Sequence, residues 1–255
     1  MIATRFLLAA ALSIALPAHA DPTAEQKAQW ARETEARLHT DWAYLDRYRA
    51  ANAALPAPVA GQPRIVLLGD SITEGWYAKA PAFFAPGRIG RGISGQTTPQ
   101  MLVRFSADVI ALRPAVVQIM AGTNDIAANT GPMTPEESKA NIRAMTELAQ
   151  AHGIRVILAS IPPADSYPWR PGLDTGSKIV AMNTWLKSYA AATGSIYADY
   201  WTALAEPGTL GMRAGLSSDH VHPTPAGYAV MAPVAERAFK AALARPAPRR
   251  AVIAR

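Results

Sequence analysis

The stretch Arg64-Ile-Val-Leu-Leu-Gly-Asp-Ser-Ile-Thr-Glu-Gly-Trp76 decides the fold. Ile65 to Leu68 is a short continuous apolar run, the pattern of a strand buried on both faces in a parallel sheet. The chain then changes character at once. Gly69 permits a tight turn, Asp70 is acidic, and Ser71 brings a hydroxyl to the point where a helix begins. A serine at that junction stands at the mouth of the sheet beside the helix's positive end, a place where enzymes hold nucleophiles. The same three residues also suit an ordinary turn in which Asp70 or Ser71 merely caps the helix. The stretch alone leaves both readings open.

From Arg64 onward, strand and helix patterns alternate. Strands are expected at Ile65–Leu68, Arg88–Arg91, Ala115–Ala121, Ile154–Ser160 and Ser195–Asp199. Helices are expected near Thr98–Leu112, Pro135–His152, Ser177–Ala192 and Pro225–Leu243. Gly153 and Gly194 punctuate helix ends, and Pro135-Glu136-Glu137 after Thr134 is a helix start with proline in the first turn and acids near the dipole's positive end. Alternation of this kind implies a doubly wound parallel sheet with right-handed crossovers and helices on both faces. Ligands bind such sheets beyond the carboxyl ends of the strands.

Residues 1–20 read as a secretory signal: Arg5, an apolar stretch from Phe6 to Leu16, and Ala18-His19-Ala20 as a small-x-small cleavage site. The apolar run is too short to span a bilayer. Residues 21–63 are expected to form an N-terminal helix, with Trp30, Leu38, Trp42 and Leu45 on one face packed on the main domain, and then a proline-rich connection. Residues 64–244 make the catalytic domain and 245–255 a basic tail, expected to be solvated. There is no cysteine, which excludes disulfides and thiolate chemistry and suits a bacterial periplasm or exterior. The net charge of +6 is concentrated at the ends. With Arg5 and the tail's Arg245, Arg249, Arg250 and Arg255 set aside, the rest is nearly neutral. No basic stripe interleaved with aromatics points to nucleic acid.

Four loops carry chemistry, each following a strand or preceding a helix on the site side of the sheet. They are Gly69-Asp-Ser71, Gly92-Ile-Ser-Gly95-Gln-Thr-Thr98, Gly122-Thr-Asn-Asp125 and Ser218-Asp-His-Val-His-Pro223. Ester hydrolysis through an acyl-enzyme needs a hydroxyl nucleophile, a base titrating near neutrality, an orienting acid and donors for an oxyanion. Ser71, His222 and Asp219 supply the first three. The Ser71 N–H, the Gly95 N–H and the Asn124 side chain supply the donors. No His/Asp/Glu set has metal-ligand spacing, so neither a metal nor another cofactor is expected.

In that order and spacing the four blocks resemble the SGNH hydrolase superfamily, also called GDSL esterases and lipases, over about Arg64 to Ala242. The resemblance implies a three-layer α/β/α sandwich of about five parallel strands, flavodoxin-like in strand order. It implies Ser71 as nucleophile, His222 as base oriented by Asp219, an oxyanion hole of Ser71, Gly95 and Asn124, and no metal. The common α/β-hydrolase fold instead calls for a Gly-x-Ser-x-Gly elbow, which this chain lacks. Two positions depart from the family pattern: His220 stands where glycine is frequent, and Gly90-Arg91 stands where an asparagine is frequent. His220 is a second imidazole beside Asp219, but adjacent side chains in an extended segment point apart, so His222 is taken as the base.

The loop Ile161-Pro-Pro-Ala-Asp-Ser-Tyr-Pro-Trp-Arg-Pro-Gly-Leu173 lies over the site, and Tyr167 and Trp169 are candidates for substrate contact or for anchoring the loop. The expected function is an exported serine esterase acting on small esters or acylated carbohydrate. Two other classes stay open: a lipid acyl hydrolase that meets a membrane through the basic tail, and a non-catalytic carbohydrate-binding module of the same fold.

Overall fold

The computed structural model describes residues 23–251; the expected signal segment and the last residues of the tail lie outside them. Along the chain come α1 (Ala24–Thr40), α2 (Arg49–Ala53), β1 (Ile65–Gly69), α3 (Ser71–Lys79), β2 (Arg88–Gly92), α4 (Thr98–Asp108), β3 (Val116–Met120) and α5 (Thr123–Ile126). There follow α6 (Pro135–Ala151), β4 (Arg155–Ala159), α7 (Thr175–Ala192), β5 (Ile196–Ala198), α8 (Tyr200–Leu204) and α9 (Pro225–Ala244). The five strands are parallel in the order β2-β1-β3-β4-β5. This is the flavodoxin-like order that the family resemblance implies.

β1 is buried along its whole length and feeds both layers of the core. Val66 and Leu68 point to one face, where Met101 and Phe105 of α4, Ile142 and Met145 of α6 and Ile179 of α7 cover them. Ile65 and Leu67 point to the other, against Trp76 of α3, Tyr200 of α8 and Met231 and Phe239 of α9. The period of two in the strand thus reads out as two helical layers. Each fully buried aliphatic side chain here contributes about 1.5–3 kcal/mol.

Strand order reverses between β1 and β3, so the chain leaves the two strands in opposite directions and opens a crevice beyond Gly69 and Met120. Gly69 is required there by close approach. A Cβ at this position would lie 2.1 Å from the Thr73 hydroxyl and 2.9 Å from the Met120 carbonyl oxygen.

At the N-terminal end an expectation is corrected, and at the C-terminal end one is qualified. The first helix stops at Thr40 and buries none of its residues, and the compact unit that holds the sheet begins at Asp41. Trp42 and Leu45 are therefore not on α1. They lie in turns closed by the Asp41 carboxylate, which accepts from the Leu45 and Asp46 N–H groups at 2.8 and 3.0 Å. The tail, through Ala251, is exposed at nearly every residue, as expected, but it is tied to the domain by hydrogen bonds. The Ala251 N–H donates to the Ala151 carbonyl at 2.9 Å, Arg155 Nε donates to the Arg245 carbonyl at 2.7 Å, and Arg245 reaches the Gly194 carbonyl at 2.5 Å. These contacts gather at Arg155, the first residue of β4, at the end of the sheet opposite the crevice.

Candidate active site

Ser71 is the first residue of α3, so its side chain emerges where β1 ends and the helix's N–H groups are unpaired. The cap is Asp70, whose Oδ1 accepts the Ile72 N–H at 2.9 Å, and this leaves the Ser71 hydroxyl unused by the helix. Ser71 Oγ lies 2.9 Å from His222 Nε2. His222 Nδ1 lies 2.6 Å from Asp219 Oδ2. Residues 151 positions apart in sequence are thus in hydrogen-bond contact.

The loop before α9 is built to hold that geometry. Asp219 Oδ1 accepts the His222 N–H at 2.7 Å and the Val221 N–H at 3.0 Å. Lys79, at the end of α3, donates to the Pro223 carbonyl at 3.0 Å and ties the loop to the serine's own helix. Partial burial pushes the Asp219 carboxyl upward, but the His222 amide, the His222 ring and the Val221 amide outweigh it and hold the group at about 2. His220 takes no part. It adopts a left-handed conformation with φ of 69°, and its ring turns toward Asp165, 3.4 Å away.

Asn124 stands in α5, just beyond β3, and is 3 % exposed. Its Oδ1 accepts from Asn129 Nδ2 at 2.6 Å and its Nδ2 donates to the Gln96 carbonyl at 3.0 Å, which fixes the amide's orientation. Gly95 is exposed at the tip of the loop after β2, with φ of 77° and no heavy atom within 4 Å of where a Cβ would stand. Through Asn124 Nδ2, which contacts the Gln96 carbonyl and, at 3.4 Å, Asp70 Oδ2, the residues after Gly95 and before Ser71 meet beyond β3. Trp169 also stands there, 41 % exposed, with its ring 6.3 Å from the His222 ring and its Nε1 donating to Asn129 Oδ1 at 3.2 Å. Tyr167 does not: it is 1 % exposed, stacked beneath Trp169 at 5.0 Å, and anchors the loop rather than offering a contact surface. The candidate contact pair reduces to Trp169.

Sequence reasoning missed the side chains that carry this frame. Glu74, one turn after Ser71, accepts the Ser94 N–H at 2.8 Å and its hydroxyl at 2.5 Å, which braces the residue before Gly95. Arg104 is fully buried and donates to Gln96 Oε1 at 2.5 Å, to Asp108 at 3.0 Å and to the Gly69 carbonyl at 2.9 Å. The signal was present: Met101, Arg104, Phe105 and Asp108 recur at steps of three, one and three on the core face of α4, where charged residues are rare unless paired. Asp125 accepts from the Thr98 N–H at 3.0 Å and from Ser138 Oγ at 3.0 Å, which braces the loop after β3.

Asp70 is 1 % exposed, and desolvation outweighs its bonds to raise the carboxyl to about 6. A carboxyl whose folded pKa lies above its unfolded value stabilises the fold below the unfolded pKa, and that contribution disappears as pH rises through the folded one. Of a total on the order of 3 kcal/mol, about 2 kcal/mol is lost between pH 4 and 6. Asp125 is raised in the same direction, again chiefly by burial. In Asp70→Asn, which keeps the capping oxygen, urea-unfolding stability should fall less over this pH interval than in the parent. Parallel curves for the two proteins would refute the assignment.

Comparison with known proteins places this geometry in a family. Residues 67–230 match the model of the GDSL-like Lipase/Acylhydrolase family. An acetylxylan esterase of Geobacillus stearothermophilus is 29% identical over 154 residues, covering 56% of this chain and 68% of that protein. Esterase TesA of Pseudomonas aeruginosa is 26% identical over 179 residues, covering 67% of this chain and 81% of its own. The crystal structure of a GDSL-like lipase from Bacteroides thetaiotaomicron superposes with a TM-score of 0.77 at 42% identity, over 80% of this chain and 100% of that one. With the family model spanning most of the chain around the crevice of Ser71, this protein belongs to the GDSL-like lipase/acylhydrolase family and is a carboxylic ester hydrolase.

Proposed function

We propose that the chain is an exported serine esterase that removes short acyl or O-acetyl groups from small alcohols or carbohydrate through an acyl-enzyme on Ser71. The observation that carries this reading is the unbroken relay from Ser71 Oγ to His222 Nε2 at 2.9 Å and from His222 Nδ1 to Asp219 at 2.6 Å. Ionised Asp219 keeps the imidazole proton on Nδ1, so the Nε2 lone pair faces the serine. The Ser71 Oγ–acyl carbon bond forms as Nε2 takes the hydroxyl proton. The negative charge on the carbonyl oxygen is met by the Ser71 and Gly95 N–H groups and by Asn124 Nδ2, which gives up its long 3.4 Å contact to Asp70 Oδ2 and keeps its bond to the Gln96 carbonyl. The bond to the leaving alkoxide then breaks as Nε2 returns the proton to it. Water repeats the sequence, giving a carboxylic acid and free Ser71.

The acetylxylan esterase relative supports an acylated carbohydrate as substrate, and the half-exposed Trp169 beside His222 offers a flat apolar face for it. The export reading rests on residues 1–20. The basic tail docks at the opposite end of the sheet from the triad, which argues against its delivering the crevice to a membrane. The intact triad argues against a module that only binds.

The test is covalent. A fluorophosphonate should label one serine, mapped by mass spectrometry to the peptide containing Ser71, and 4-nitrophenyl acetate turnover should vanish in step with labelling. Turnover that survives complete labelling would refute the proposal.

A further inference from the structure

The turn after α5, residues 127–131, touches three parts of the molecule at once. The Ala128 carbonyl accepts from Arg170 at 3.0 Å, and the Asn129 side chain meets Trp169. The Thr130 hydroxyl lies 3.0 Å from that of Thr97, in the loop after β2. The third tie is to α5 itself, where the Asn129 N–H donates to the Asn124 carbonyl at 3.0 Å and the Ala128 N–H to the Asp125 carbonyl at 2.9 Å. The backbone of this turn is therefore pinned without help from the Asn129 side chain.

That side chain connects two other groups. The Trp169 indole has one polar atom, a donor, so it can meet Asn129 only at the oxygen. With Oδ1 engaged there at 3.2 Å, Asn129 turns its NH2 the other way, and Nδ2 donates to Asn124 Oδ1 at 2.6 Å. Asn124 in turn keeps its oxygen toward Asn129 and its own NH2 toward the Gln96 carbonyl and Asp70. One donor-only group, standing beside the His222 ring, thus fixes the sense of two amides in series. Bonds in such a chain polarise one another. Asn129 is exposed and Asn124 is buried, so the relay runs from the surface inward to the candidate oxyanion donor.

We propose that Asn129 is a positioning residue for the reaction: it holds the Asn124 amide with Nδ2 toward the developing oxyanion, and Trp169 sets its sense. This rests on the reading of Ser71 as nucleophile and Asn124 as oxyanion donor. The proposal separates two substitutions of similar size. A carboxylate at position 129 still accepts from Trp169 but sets oxygen against oxygen at the 2.6 Å contact with Asn124. The Asn124 amide then flips or withdraws, and either movement takes Nδ2 from its place. Alanine merely removes the partner, and water enters from the exposed side to donate to Asn124 Oδ1.

The test uses the full chain, with 4-nitrophenyl acetate as substrate and an alkylboronic acid as inhibitor, since its tetrahedral serine adduct carries an oxygen where the oxyanion develops. Asn129→Asp should lower kcat and kcat/KM together by about 10²-fold, the size of a lost oxyanion donor. Asn129→Ala should lower both by less than about tenfold. Trp169→Phe keeps the ring and loses the N–H, and its kcat should fall about two- to fivefold. The boronic acid inhibition constant should rise in the same order, with melting temperatures close to that of the parent. Ala128 has φ of 54°, a conformation aspartate tolerates, so Ala128→Asp adds the same charge one residue away without entering the relay. Its kcat should stay within about twofold of the parent at physiological salt. Equal losses in the two Asn129 variants, a loss confined to KM, an unchanged kcat in Trp169→Phe, or a loss in Ala128→Asp as large as in Asn129→Asp would overturn the relay alone. Parent-like kcat in Asn124→Ala, or no aryl ester turnover in the parent, would overturn the reading beneath it.

Discussion

Ser71→Ala should lower kcat on 4-nitrophenyl acetate by about 10⁴–10⁶-fold, leaving KM and the melting temperature close to those of the parent. The fold should tolerate the change because the hydroxyl makes no structural bond beyond His222, while α3 is capped by Asp70. Loss of one oxygen therefore removes the bond-forming atom and little else. The residual rate reflects the oxyanion donors and binding, which remain. The burst of 4-nitrophenol and the fluorophosphonate adduct should both disappear. A variant that retains a few per cent of the parent rate, or an adduct that moves to another serine, would place the nucleophile elsewhere. Asp219, held at about 2, stays ionised across the working range. Loss of rate on acidification between pH 8 and 5 therefore does not come from Asp219, whereas Asp70, raised to about 6 beside Ser71, titrates inside that window.

The parts of this molecule that were legible in the sequence are those where one physical signal dominates. Val66 and Leu68 against one helical layer, with Ile65 and Leu67 against the other, follow from a continuous apolar run that only a doubly covered strand can bury. The distribution of polar residues over the four loops followed from topology, since a parallel sheet leaves its site beyond the strand ends. The N-terminal segment was misread because helical spacing of Trp42 and Leu45 competes with a local alternative. Asp41 turns its carboxylate onto the Leu45 and Asp46 N–H groups, and this closes a turn that ends the helix. The turn is then held from outside, by Gln96 and Gln100 side chains donating to the Ala43 and Trp42 carbonyls at 2.7 Å. No periodicity encodes such long-range bonds. The docked tail escaped notice for the same reason, since it is held largely by backbone carbonyls.

Arg104→Met should cost about 3–5 kcal/mol of stability, the loss expected when one partner of a buried ion pair is removed. For a chain of this size that corresponds to a melting temperature lower by about 6–20 °C. Arg104 is fully buried, and Asp108 beside it is 2 % exposed. Its guanidinium satisfies three acceptors on three separate pieces of chain: Asp108 on its own helix, the Gly69 carbonyl at the end of β1, and the Gln96 side chain after β2. Methionine fills much of the volume but satisfies none of them, and leaves a carboxylate without its countercharge in the core. Arg104→Lys keeps the charge without the planar fork, so it should recover part of the loss, with at least one acceptor still unpaired. Arg104→Met combined with Asp108→Leu removes both charges and should lie well above the single methionine variant, although Gly69 and Gln96 remain unheld. Urea unfolding of the four proteins measures these differences. A single-variant loss below about 1 kcal/mol, in the range of exposed pairs, would mean that solvent or a shifted neighbour replaces the guanidinium. The joint at Gly69 lies two residues before Ser71, so a confirmed loss would show that the fold positions this serine through a buried charge as well as through apolar packing.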